Sequence, residues 1–258
     1  MKNKKLNNIK LDLFIIFFIA LTGYLLFYLI SYSVKDEKSK RQVKEFILST
    51  TTKNNVVNVS NQIDNKEQTK KVEKELTLND YREKYNNKDI VGILSVKNTK
   101  INTLLLQAED NDYYLRRLPN KKKHITGSVF IDYRTKLNED KNVIIYGHNA
   151  NNYDIPFRYL RYYLKEDFYK NNKYIDIKTD DGNSKYEIFS VYISNGDYKH
   201  LDIKFSSEES FLNHLNYLKS KSIYGTSASL SASDSIITLQ TCLLKNDALI
   251  IISAKKIL

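Results

Sequence analysis

The run Asp234-Ser-Ile-Ile-Thr-Leu-Gln-Thr-Cys242 decides how this chain is read. Ile236, Ile237, Thr238, Leu239 and Thr241 favour a pleated, buried strand through β-branching and apolar bulk, and Ser233 with Asp234 marks the turn before it. The strand delivers Cys242, the chain's one cysteine, to its end. A second run of the same texture, Lys141-Asn-Val-Ile-Ile-Tyr-Gly-His-Asn149, ends in a histidine just after a glycine. Two strands that each end in one half of a thiol and imidazole pair predict a site built across neighbouring strand ends.

The chain's 258 residues allow one good-sized domain plus appendages, and 41% apolar content is enough to bury a core. The formal charge of +11 comes with scattered acids rather than in one block, and no nucleic-acid motif accompanies it, so no nucleic-acid partner is expected. A lone cysteine forms no internal disulfide; taken by itself it reads as a buried small hydrophobe or as a nucleophile. One cysteine and four scattered histidines make no zinc spacing, and no acidic loop has the EF-hand form, so neither metal nor cofactor is expected.

Lys2, Lys4, Lys5 and Lys10 precede an uncharged apolar stretch from Leu13 to Ile30. At about 1.5 Å of rise per helical residue that stretch is long enough to cross a bilayer core. The lysines predict a cytoplasmic tail over 1–10, a membrane-spanning signal anchor over 11–32 and everything later outside the cell. A cleaved signal peptide is the rival reading, against which stand the length of the run and the poor cleavage site at Ser31-Tyr-Ser33. Residues 33–75 read as a linker or stalk, with a helix over Lys35–Leu48. The folded domain is expected over 76–258: a helix at Leu78–Tyr85, strands at Ile90–Val96, Ile101–Gln107, Gly127–Tyr133 and Val143–Tyr146, and helical spacing over Phe157–Tyr169. Strands at Tyr174–Lys178 and Tyr186–Ser194, an amphipathic helix at Ser207–Lys219, and strands at Ile236–Thr241 and Ala248–Ile252 complete it. Many short strands without a βαβ rhythm predict a mixed, mainly β fold, a barrel with peripheral helices.

Of the four histidines, His214 falls on the polar side of its helix and His124 follows Lys121-Lys-Lys123 in a loop, so both read as surface residues; His200 stays open. His148 stands apart because a strand end after Gly147 fixes its backbone, as a catalytic base requires.

Tyr146-Gly-His-Asn149 followed by Thr238-Leu-Gln-Thr-Cys242 resembles the sortase family of membrane-anchored cysteine transpeptidases. Asp110-Asn-Asp-Tyr-Tyr-Leu115, Gly127-Ser-Val-Phe-Ile-Asp-Tyr-Arg134 and the helix-bearing insertion from Gly196 to Gly225 look like its class B branch, so that the likeness covers about residues 78–258. The resemblance implies a sortase-type β-barrel on the outer face of a Gram-positive plasma membrane. Its substrates would be surface proteins with a C-terminal sorting signal, joined to a peptidoglycan amine. Cys242 would attack a threonine carbonyl to give a thioacyl enzyme, and His148 would serve as acid and base. By position, Asn111, Leu115, Tyr146, Ser194 and Tyr198 match residues lining the sorting-signal groove, each with a plainer reading as core or surface; Gln240 stands where class B members usually carry serine, and its amide reads either as a donor to substrate or as a solvent-facing group. One departure matters. Where sortases carry an arginine on the strand after the cysteine, this chain has Leu249, and the only nearby cation in sequence is Lys245, which lacks the planar fork of a guanidinium.

Overall fold

The computed structural model describes the backbone of residues 2–51, 76–243 and 248–258, and side chains over 14–44, 76–243 and 248–258. Residues 52–75 of the linker expected over 33–75, and Lys245, lie outside the described residues.

The N-terminal helix α1 (Lys2–Thr51) runs without a break through both the apolar stretch and the region expected to form a separate helix. Its segment Phe14–Lys44 contains a window of mean hydropathy 2.3, none of it buried. Ile19 and Phe27 are 65% and 69% exposed. A helix that is apolar on all sides and covered by nothing is suited to lipid. Within it the Thr22 hydroxyl donates to the carbonyls of Phe18 and Ile19, both at 2.9 Å, so that hydroxyl is satisfied by its own helix.

The C-terminal domain opens with α2 (Leu78–Tyr85), whose bounds match the expectation because Thr77 and Asp80 form a capping box. Eight strands follow: β1 (Ile90–Ser95), β2 (Asn102–Leu106), β3 (Phe130–Ile131), β4 (Asn142–Tyr146), β5 (Tyr174–Thr179), β6 (Gly182–Ser194), β7 (Ile236–Cys242) and β8 (Leu249–Lys256). They close into one barrel in the order β1-β2-β3-β4-β7-β8-β6-β5. The pairs β2–β3 and β4–β7 are parallel; the rest are antiparallel. The strand expected over Gly127–Tyr133 is cut to two residues. Gly127 takes a left-handed φ of 54°, and a Cβ there would lie 2.4 Å from the Leu115 carbonyl oxygen, so the chain enters β3 from a tight turn rather than along a ladder.

The expected helix over Phe157–Tyr169 is two pieces, a 3-10 helix (Pro156–Leu164) and α3 (Glu166–Asn171), parted at Lys165. Phe157, Leu160 and Tyr163, the buried residues after Pro156, recur every third position, the 3-10 period, which turns one edge of the segment toward the barrel. The insertion helix expected over Ser207–Lys219 is α4 (Glu208–Lys221), with Ser207 as its N-cap.

Alternation along the strands sorts side chains onto two faces. Val143, Ile145, Ile237, Leu239, Ile250 and Ile252 fill the barrel interior. Outside, α2 covers Ile90, Leu104, Leu106 and Phe130, while Phe211, Leu215 and Leu218 of α4 cover Ile236 and Ile251. Between these two covers a strip of outer face stays open, carrying Tyr146, His148, Gln240 and Cys242.

Candidate active site

The parallel β4–β7 ladder pairs Asn142 with Ile236 and ends with Tyr146 opposite Gln240. Beyond it, Gly147 N donates to the Gln240 carbonyl at 3.2 Å, the Thr241 hydroxyl donates to the Gly147 carbonyl at 2.7 Å, and Asn149 Nδ2 donates to the Cys242 carbonyl at 2.9 Å. Carried on in step, the register sets Gly147 beside Thr241 and His148 beside Cys242. Because strand side chains alternate, imidazole and thiol share the outer face. Cys242 is exposed and His148 half-buried.

The same row continues across the sheet. Cys242 pairs with Leu249 on β8, and Leu249 pairs with Ser194 on β6, so Cys242, Leu249 and Ser194 stand side by side on three adjacent strands, with His148 two residues past the end of β4. Gly147 allows the His148 end of that row to close down: a Cβ there would sit 2.5 Å from the Phe157 ring. Leu249 leans on the apolar cluster under α4 and places no charge opposite the thiol.

Of the groove candidates, Leu115 contacts His148, while Tyr146 and Asn111 gather at Asp132. His148 Nε2 lies 2.8 Å from the Leu115 carbonyl, so Leu115 acts through its backbone while its side chain packs under α2. Since a carbonyl only accepts, Nε2 holds the proton and Nδ1 is the nitrogen able to take one. Burial pushes the imidazole below its ordinary value, the Leu115 carbonyl opposes this, and the Arg116 charge adds to the lowering. Tyr146 donates to Asp132 Oδ2 at 2.9 Å. Asp132 is fully buried, and burial alone would push its carboxyl up, but the Arg134, Tyr146 and Asn111 hydrogen bonds outweigh that and hold it below the usual range. Asn111 Oδ1 also accepts from Tyr133 N at 3.1 Å.

The other candidates lie toward β6. The Ser194 hydroxyl is buried and donates to the Asp197 carbonyl, while Tyr198 is 58% exposed on the following turn. Gln240 Oε1 sits 2.7 Å from His200 Nε2.

Two histidines depart from expectation. His214 is buried, because the segment after the Lys199–Leu201 turn folds over its helix and sets Phe205 5.0 Å from its ring. His124 is buried as well, bonded through Nδ1 to Thr126 Oγ1 at 2.8 Å. A polar cluster that the sequence reading missed lies under the insertion. Asn142 Nδ2 donates to the carbonyls of His200 and Asp202 at 3.1 and 2.9 Å and stands 3.5 Å from His214 Nε2, and the Thr238 hydroxyl donates to Asn142 Oδ1 at 2.9 Å. The available signal was Asn142 itself, an amide heading an otherwise apolar strand.

The architecture is thus a closed barrel whose parallel β4–β7 pair ends beside Gly147-His148 on one strand and Cys242 on the other. The family model described as the Sortase domain matches residues 94–257, and the chain belongs to the sortase family. Sortase B of Listeria monocytogenes is 39% identical over 158 residues, 60% of this chain; the match spans 63% of that protein, less than two thirds of its length. A Clostridium perfringens sortase B structure superposes with a TM-score of 0.65 at 33% identity, over 70% of this chain and all of that one. A Staphylococcus aureus sortase B–substrate complex gives 0.65 at 29% identity, over 70% and 84%. The likeness is to the class B branch, and the barrel expected from the strand pattern is the fold observed.

Proposed function

We propose that this chain is a cysteine transpeptidase which cleaves a C-terminal sorting signal after threonine and passes the protein to a cell-wall amine. The observation that carries the reading is the register that seats His148 beside Cys242 on the open outer strip. The Cys242 sulfur attacks the threonine carbonyl while neutral His148 takes the thiol proton. The imidazolium returns that proton to the leaving amine as the C–N bond breaks, which gives a thioester. An incoming amine attacks the thioester, loses its proton through His148 and restores the thiol. Asn111, Leu115, Tyr146, Ser194, Tyr198 and Gln240 form the surroundings in which the signal lies. That the S. aureus relative was solved as a sortase B–substrate complex supports a bound substrate.

The apolar α1 segment anchors the enzyme in the membrane, and Lys2, Lys4, Lys5 and Lys10 keep the N-terminus cytoplasmic and the barrel outside. A second reading, a sortase-like module that binds sorting signals without turnover, is favoured by one observation: the apolar Leu249 opposite the thiol. The test offers full-length protein in detergent micelles a library of fluorogenic peptides with threonine at the cleaved position, with and without a short glycine peptide as acceptor. Mass spectrometry is expected to find a thioacyl adduct on Cys242 and an amide product when the acceptor is present. Peptide binding without an adduct selects the binding module, and hydrolysis unaffected by the amine selects a thiol peptidase.

A further inference from the structure

Among the described residues the strip carries no cation opposite Cys242, yet a pair of N–H donors stands one side chain below it. We propose that Gln240, held by His200, presents its amide N–H groups to the carbonyl oxygen under attack by Cys242, in the role left open by Leu249. The proposal rests on the transpeptidase reading above.

The first step is orientation. His200 Nε2 lies 2.7 Å from Gln240 Oε1, and an amide oxygen only accepts, so this nitrogen is the donor. With its oxygen tied down, the Gln240 amide has a fixed sense, and the NH₂ is the end that remains. Among the described residues that nitrogen has no hydrogen-bond partner, and Gln240 is half-buried at the edge of the strip.

The second step is position. Gln240 and Cys242 project from the same face of β7 at a separation of two residues, roughly 6.6 Å along the strand. Gln240 pairs with Ile251 and Cys242 with Leu249, so Gln240 and Leu249 are diagonal neighbours. A donor reaching up from Gln240 therefore meets the region that a longer, charged residue at 249 would have served.

The third step is rigidity. His200 is fully buried, and its own carbonyl accepts from Asn142 Nδ2, which is in turn held by Thr238 through Oδ1. Burial lowers the His200 imidazole, while its contacts with Gln240 and Asp197 oppose the lowering. A donor aimed before the oxyanion forms needs no reorganisation when it does, and loss of one such donor typically costs about 10² to 10³ in rate. Gln240 is thus a catalytic residue, and His200 a positioning residue acting through it.

The experiment compares adduct formation on Cys242 in full-length parent and variants, using a peptide from the library that labels the parent. Gln240→Glu keeps an oxygen for His200 but puts a second oxygen where the N–H groups were. A merely structural pair predicts the parent's rate, whereas the donor role predicts a fall in kcat of about 10²-fold or more with KM little changed. His200→Leu should lose a similar factor, and His200→Gln, whose amide can still donate to Gln240, should recover most of it. Parent-like kcat in Gln240→Glu overturns the proposal even where His200→Leu fails to fold. A parent that no peptide labels removes the transpeptidase reading and this inference together, whereas a labelled parent with an unaffected Gln240→Glu removes this inference alone.

Discussion

The Leu115 carbonyl oxygen lies 2.8 Å from His148 Nε2, and this contact settles which nitrogen of the imidazole holds its proton. Nδ1 is left to accept a proton, as the base of the proposed reaction would, on a ring whose pKa burial drives below the ordinary histidine value. A base works only when unprotonated, so activity should rise with pH through an acid limb lying below 6.5. Arg116 contributes to the lowering, and its removal in Arg116→Gln makes the imidazolium less unfavourable. The limb should then move to higher pH. A kcat/KM profile of parent and variant checks both the position and the direction of the shift.

The turn that aims Leu115 depends on Gly127. Its φ of 54° is costly for any residue with a side chain, and a Cβ would meet the Leu115 and Tyr114 carbonyl oxygens at 2.4 and 2.6 Å. Gly127→Ala should lower stability by about 1–3 kcal/mol through strain and overpacking. It should also slow adduct formation, because the backbone it displaces is the one that holds His148. Thermal unfolding and adduct kinetics on the same sample test the two effects.

Much of this was legible from residue types. The Leu78–Tyr85 bounds of α2 were legible because cap-forming side chains sit at its start, Thr77 proving to be the cap with Asp80 closing the box, and the apolar runs ending at His148 and Cys242 gave the two strands of the site. Strand adjacency was not legible. Nothing in the spacing of residues 148 and 242 says that β4 and β7 lie side by side and parallel; the resemblance implied it and the ladder shows it. The burial of His214 was also hidden, since a helical wheel sees only its own helix, and the cover comes from Phe205 and Asn142. Gln240 illustrates the same limit: its partner His200 stands 40 positions away in the chain.

Burial of His214 carries a stability consequence. The ring sits under the Phe205 segment, and desolvation lowers it to about 4, the neighbouring His200 adding to the lowering while Asp202 opposes it. The unfolded chain, with an ordinary histidine near 6.5, therefore binds more protons than the folded one as pH falls. Stability is fully present above 6.5 and is lost as pH drops from there through about 4. Between pH 7 and pH 4 the loss from this one ring is on the order of 3 kcal/mol. His214→Leu should flatten that part of the dependence while leaving the share that comes from His200. Unfolding temperatures of the full-length protein in detergent, taken from pH 7 to pH 4, measure it; parallel curves for parent and variant would show that the ring does not titrate on unfolding.

Leu249 offers the reverse experiment, a gain rather than a loss. It faces Cys242 across β7 and β8, half-buried against the cluster under α4. An arginine stem can lie over the same apolar surface and keep its head in water, so Leu249→Arg should fold. Its guanidinium would add a charged donor to the row that holds the thiol, and charge-assisted donors are roughly twice as strong as neutral ones. If Gln240 already supplies a donor, the gain in the parent background should be modest. In Gln240→Leu, where that donor is absent, the same arginine should restore much of the loss of about 10²-fold or more. The rate of adduct formation across the four proteins of this double-mutant cycle reads the coupling directly. Independent, multiplicative effects would mean that the two positions do not serve the same oxygen.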